Sequence, residues 1–190
     1  MKYANIKIAD VGNGPGVRIT LFVSGCSHAC PGCFNYEAQD YNFGKDFTKE
    51  TIDDIINLMR PKHIQGLTLL GGEPMDPVNQ GGLSKLIKRV REEFGYTKDI
   101  WMWTGYTYPT SFSKVAKTEF TDDILNNIDV LVDGRWVIEL YDIRLKWRGS
   151  ANQRVINMRE TLEEGKISLI PLDEPIDDIW ETLMRKRDKK

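Results

Sequence analysis

Cysteine, net charge and long apolar runs are all scarce in this chain, and each scarcity excludes a class of protein. Its 190 residues contain three cysteines, too few for the disulfide framework of a small secreted domain. Lysine plus arginine number 26 against 28 for aspartate plus glutamate, a formal net charge of −2. That balance gives no global field that would draw in nucleic acid. No stretch approaches the roughly 20 consecutive apolar residues of a membrane-spanning helix. The opening segment, Met1–Asp10, is polar and alternating and does not read as a signal peptide. The expectation is a cytoplasmic protein with no nucleic-acid partner and no membrane partner. Repeats and low-complexity linkers are absent as well. The length fits one domain, and 41% hydrophobic with 28% charged residues is the composition of a chain that packs a core.

The chain that remains alternates strand and helix signals. Tyr3–Ile8 alternates apolar and polar, and Val17–Val23 is a β-branched and aromatic run; both predict strands. Thr48 is a candidate cap for a helix over Lys49–Met59, whose Ile52, Ile55, Ile56 and Met59 share a face. Further strands are predicted at Gly66–Leu70, Ile100–Trp103, Ile128–Val132 and Val155–Met158, and helices at Gly82–Phe94 and Thr121–Asn127. Ile176–Arg187 predicts a last helix with a basic end, so that residues 175–190 form a helical tail on a single domain spanning 1–190. This order implies an α/β fold with a parallel sheet and polar, glycine-rich segments at the carboxyl ends of the strands, where such folds bind ligands. The length allows about five or six strands at roughly 30 residues per βα unit. A closed eight-unit barrel needs about 200 residues or more, so an incomplete βα barrel is expected.

All three cysteines lie in one segment, Cys26-Ser27-His28-Ala29-Cys30-Pro31-Gly32-Cys33, with the spacing C-x3-C-x2-C. Three thiolates on one tight loop can hold three irons of a cubane cluster. With no fourth cysteine, the remaining iron stays open or takes another ligand, as catalytic zinc keeps a vacant position. Three other chemistries fit the residues alone: a redox pair at Cys30-Pro31-Gly32-Cys33, a Cys3His zinc site completed by His28, and inert buried thiols. Downstream, Gly71-Gly72-Glu73-Pro74 ends a predicted strand. Its glycines allow a ligand close to the backbone, and Glu73 offers a carboxylate to an ammonium. A strand-to-loop turn with a solvated glutamate has the same composition. The tryptophans Trp101, Trp103, Trp136 and Trp147 read as core or interface residues.

The cysteine spacing after an early strand, followed by the glycine-glutamate segment, resembles the radical S-adenosylmethionine (SAM) superfamily. Most of that superfamily has an aromatic residue before the third cysteine; here it is Gly32. In this respect GCSHACPGCFN, Gly25–Asn35, looks like the activating enzymes of glycyl-radical proteins. Within them, Gly14–Arg18, Trp103–Tyr106, Asp129–Arg135 and Arg148–Arg154 are similar to the activators of anaerobic ribonucleoside-triphosphate reductase. The resemblance covers roughly Val11 to Ile156. It implies a radical SAM partial barrel, one [4Fe–4S] cluster on Cys26, Cys30 and Cys33, and SAM chelating the open iron. It also implies a SAM site built from Gly32, Cys33, Phe34, Gly71, Gly72 and Glu73, with Asp133 and Arg135 meeting SAM at a later strand end. Read alone, those last two residues are also what an exposed ion pair would look like, and Arg148–Arg154 is also what a polar turn would look like. No catalytic residue is implied beyond the cluster and SAM. The implied reaction is reductive cleavage of SAM and hydrogen removal from a glycine of the reductase large subunit. Its electron comes from an unidentified low-potential donor, in a range that reaches about −700 mV for such clusters. The alternatives are another radical SAM enzyme, either a formate-lyase-type activator or a small-molecule enzyme, and a non-enzymatic Fe–S or zinc module. Three cysteines leave no ligands for a second cluster.

Overall fold

A computed structural model describes residues 1–173. It consists of one seven-stranded sheet with helices, a mixed α/β fold. The predicted helix Ile176–Arg187, and the tail of which it is part, lie outside the described residues. The strands are β1 (Lys2–Asp10), β2 (Val17–Val23), β3 (Lys45–Asp46), β4 (Ile64–Gly71), β5 (Asp99–Trp103), β6 (Val130–Asp133) and β7 (Arg154–Asn157), in the order β3-β1-β2-β4-β5-β6-β7. β2, β4, β5 and β6 pair in parallel. β1 and β7 flank them in antiparallel pairing. The parallel sheet expected from the alternation of elements is therefore confined to the centre. Residues 11–16 between β1 and β2 are too few for a crossover, which takes a dozen or more. Residues 134–153 stay at the carboxyl end of β6, so β7 re-enters the sheet from that end.

The helices are α1 (Lys49–Met59), α2 (Pro77–Phe94), α3 (Thr110–Lys114), α4 (Thr121–Asn127) and α5 (Met158–Glu164). Thr48 caps α1 in a reciprocal box. Its hydroxyl accepts from the Thr51 amide at 3.3 Å, and the Thr51 hydroxyl accepts from the Thr48 amide at 3.2 Å. α2 starts five residues before the predicted Gly82, because Asp76 caps it, accepting from the Val78 amide at 3.1 Å, and Pro77 occupies its first turn. Gly82 reads as a helix start, but it serves packing: a Cβ there would lie 2.2 Å from Met1 Sδ.

The period of two along each strand separates the two faces of the sheet. Ile19, Leu21, Val23, Leu67, Leu69, Ile100, Met102, Leu131 and Ile156 face α1, α2 and α4 and form an aliphatic core with Ile55, Met59, Leu83, Leu86 and Val90. Each such side chain contributes about 1.5–3 kcal/mol on burial. The opposite face carries Arg18, Thr20, Thr68, Trp101, Val130, Val132 and Val155, all buried. Near the amino ends of the strands, Arg18 donates to Thr68 Oγ1 (2.7 Å), Pro15 O (3.1 Å), Leu67 O (2.9 Å) and Asp99 Oδ1 (2.6 Å). The Gly14–Arg18 segment thus supplies a buried structural tie.

Candidate active site

At the other end of the same strands, β2 runs out at Val23 into the cysteine loop. Its base is pinned by Gly25 N donating to Ala38 O at 2.8 Å and Cys26 N to Gln39 O at 3.1 Å. The three cysteines are half-buried free thiols, and all of them line one open cleft together with Gly71, Gly72, Glu73, Gly105 and Trp136. Burial pushes the Cys26 thiol up to about 11, and the nearby Glu73 charge adds to the shift, against a backbone hydrogen bond at His28 that opposes it. A thiolate there needs a cation, which iron supplies on binding.

Among the described residues no three His, Cys, Asp or Glu side chains converge as a single-metal site. A Cys3His zinc centre is also disfavoured by His28, whose Nε2 lies 2.9 Å from Glu73 Oε2 and whose ring meets Tyr106 edge-on at 4.5 Å. Cubane thiolates bind separate irons, one each, and three thiols lining one cleft are the donor set such a cluster takes.

Gly71 ends β4 at φ 114°, in a conformation that favours glycine. The amide of Gly72 donates to Val23 O and that of Glu73 to Gly25 O, both at 2.8 Å. A Cβ on Gly72 would lie 2.6 Å from Gly25 O and 2.7 Å from Ala38 O. The contact between two backbones therefore requires a small residue here.

Glu73 is 1% exposed, not solvated. Oε1 accepts from the Met75 amide (2.8 Å) and Thr104 Oγ1 (2.7 Å), and Oε2 from the Gly105 amide (2.7 Å) and His28 Nε2 (2.9 Å). Those four bonds fill the acceptor positions of a carboxylate.

Gly32 and Phe34 meet the segment after β6. A Cβ on Gly32 would lie 2.9 Å from Ile138 Cδ1 and 3.3 Å from the Trp136 ring, so an aromatic residue at position 32 would overlap Trp136. Phe34 is exposed and packs on Trp136 at 5.4 Å and Tyr141 at 5.8 Å.

The family described as a 4Fe-4S single cluster domain matches residues 12–156. The anaerobic ribonucleoside-triphosphate reductase-activating protein of Escherichia coli K12 is 44% identical over 161 residues, covering 84% of this chain and all of that protein. The protein of the same name from Vibrio cholerae is 44% identical over 156 residues, 80% of this chain and 96% of its own length. That from phage T4 is 40% identical over 155 residues, 82% and 93%. The chain belongs to this family of activating proteins.

At the end of β6, Asp133 and Arg135 both have partners within the protein. Asp133 is fully buried and does not line the cleft. Its Oδ1 accepts from Arg154 Nε at 2.9 Å, its Oδ2 also pairs with Arg154, and the Tyr108 amide donates to Oδ2 at 2.8 Å. Arg135 is exposed, and its guanidinium donates to the backbone oxygen of His28 in the cysteine loop. The Arg148–Arg154 segment is more than a polar turn. Gln153 Oε1 accepts from the Gly149 (2.9 Å) and Ser150 (3.1 Å) amides while its Nε2 donates to Gly134 O (3.0 Å). Trp101 lies in the core, as read from the sequence, but Trp136 lines the cleft. Sequence reasoning did not find Asn79, which is fully buried on α2 and donates to Ser24 O (3.0 Å) and Glu73 O (2.9 Å). An asparagine on the inward face of an amphipathic helix was its one signal. Among the described residues no helix is long and apolar enough to cross a membrane.

Proposed function

We propose that this chain is a radical SAM activating enzyme. It holds one [4Fe–4S] cluster through Cys26, Cys30 and Cys33, binds SAM in the same cleft, and generates a glycyl radical on the large subunit of anaerobic ribonucleoside-triphosphate reductase. The observation that carries this reading is the meeting of the three thiols and Gly71-Gly72-Glu73 in one cleft at the carboxyl ends of parallel strands, in a chain whose relatives bear that activator's name. In the same reading the open sheet is a partial barrel of the radical SAM type, residues 1–190 form one radical SAM domain with a helical tail over 175–190, and the protein works in the cytoplasm with a low-potential donor and without nucleic acid or membrane.

When bound and reduced, the cluster supplies the electron for SAM cleavage, and the outcome is hydrogen loss from a glycine Cα of the partner. The chain's own residues bind and shield. Cys26, Cys30 and Cys33 hold three irons and leave one for SAM. Gly71, Gly72 and Glu73 form the wall on which the methionine end of SAM rests, with the buried Glu73 carboxylate giving that wall a negative potential suited to an ammonium. Gly32, Cys33 and Phe34 border the cofactors on the loop side. Arg135 attracts the SAM carboxylate, and Asp133 supports it by anchoring the end of β6. The cleft is open, and a docked glycine loop would supply the missing wall and exclude water. The test is SAM turnover by anaerobically reconstituted, reduced protein. Methionine and 5′-deoxyadenosine should form slowly alone and much faster with the reductase. Equal rates with and without the reductase would sink the reading.

A further inference from the structure

We infer that His28 is a positioning residue for SAM: its imidazole ties the cluster-bearing loop to Glu73 and thereby sets the wall on which SAM rests. The inference builds on the proposal that SAM occupies the cleft. His28 lies between Cys26 and Cys30 and lines the same cleft, where its side chain meets Glu73. Its Nε2 donates to Glu73 Oε2 at 2.9 Å; a carboxylate only accepts, so Nε2 carries the hydrogen. The side chain is 14% exposed, and its ring packs against Tyr106 at 4.5 Å with an interplanar angle of 64°. Its backbone oxygen accepts from the Arg135 guanidinium. One residue therefore joins the segments that follow β2, β4, β5 and β6.

The Trp103–Tyr106 segment is shaped to this tie. Thr104 and the Gly105 amide bind the same carboxylate, at 2.7 Å each. Tyr106 supplies the ring under the imidazole. Gly105 leaves room for it, since a Cβ there would lie 2.4 Å from His28 Cδ2 and 2.6 Å from Nε2. Of the four donors to Glu73, only His28 comes from the cysteine loop. Removing it leaves the loop joined to the glycine-glutamate turn by backbone contacts and by Asn79 at the base of the loop. It also leaves a buried carboxylate short of a donor, which costs more than the bond itself contributes.

Reconstituted holoprotein carrying His28→Leu, His28→Gln or Gly105→Ala tests this. Gly105→Ala keeps both His28 and Glu73 but displaces the imidazole. Iron and sulfide are assayed, SAM affinity is measured by calorimetry, and the paramagnetic resonance spectrum of the reduced cluster is recorded with and without SAM. His28→Leu and Gly105→Ala should each retain about four irons per chain, lose affinity for SAM about tenfold or more, and lose the spectral change on adding SAM. His28→Gln, which can still donate an N–H to Glu73, should recover most of both. Affinity equal to or tighter than wild type in His28→Leu and Gly105→Ala would overturn the inference. Loss of iron from both would also overturn it, because His28 would then act on the cluster. Wild-type holoprotein with no measurable SAM affinity would overturn the underlying SAM reading, and the tie as a SAM device with it.

Discussion

The two ends of the same parallel strands each bury a carboxylate, and they satisfy it in opposite ways. At the amino end Asp99 meets the guanidinium of Arg18 at 2.6 Å, with both side chains 0% exposed. Trp101 covers that guanidinium at 5.6 Å. At the carboxyl end Glu73, equally buried, meets two backbone amides, a hydroxyl and an imidazole. The arginine cancels charge and locks the strands together. The donors at Glu73 stabilise the carboxylate without an arginine or lysine, so negative potential reaches the cleft beside the thiols. One end of the sheet neutralises its buried carboxylate, and the other leaves it at the wall of the cleft. The Asp133–Arg154 pair at the end of β6 follows the first pattern, which is why it reads as support rather than as contact.

Variants of each end should sharpen that contrast, and the largest effect belongs to the cluster. Cys30→Ala should fold but hold no stable [4Fe–4S] cluster, because no spare thiolate exists; iron and sulfide assays after anaerobic reconstitution check it, and about four irons per chain would remove the assignment. At the amino end, Arg18→Leu should cost about 3–5 kcal/mol in denaturant unfolding, the usual result of depriving a buried carboxylate of its partner. A loss under 1 kcal/mol would erase the contrast between the ends. Gly72→Val should impair both cluster retention and SAM binding, since its side chain would strike the base of the cysteine loop; SAM loss with a full cluster would restore the simpler view that this glycine only makes room for ligand. Thr104→Val should lower stability by about 1–3 kcal/mol by taking one donor from Glu73, with SAM affinity reduced as well. Thr48→Ala, remote from both ends, should cost about 1 kcal/mol through the lost cap and leave SAM affinity unchanged.

Local signals were legible in the sequence and pairings between distant segments were not. The β-branched run gives β2 its observed bounds, Val17–Val23, and the Thr48 cap gives α1 its own, Lys49–Met59. Both depend on neighbours within a turn or two. The antiparallel β7 was missed as such because orientation depends on where residues 134–153 lead the chain, which periodicity does not encode. In the site, the clustering of Cys26, Cys30 and Cys33 at one cleft could be read from spacing alone. The partners of Glu73 come from positions 28, 75, 104 and 105, and only folding brings them together. The partner of Asp133, Arg154, lies beyond a long loop, so their pairing is not legible in the sequence. Gly32 departs from the common aromatic pattern, and the side chains that crowd it, Ile138 and Trp136, lie much farther along the chain.

The account rests on one reaction, and paramagnetic resonance observes its product directly. Reduced, reconstituted protein is mixed with SAM and the large subunit of anaerobic ribonucleoside-triphosphate reductase under strict exclusion of oxygen, and the frozen sample is examined. A glycyl doublet should appear on the reductase and vanish when its radical-bearing glycine is changed to alanine. No doublet from a protein that carries a full cluster and binds SAM, or a radical that forms only on a different protein, would contradict the account.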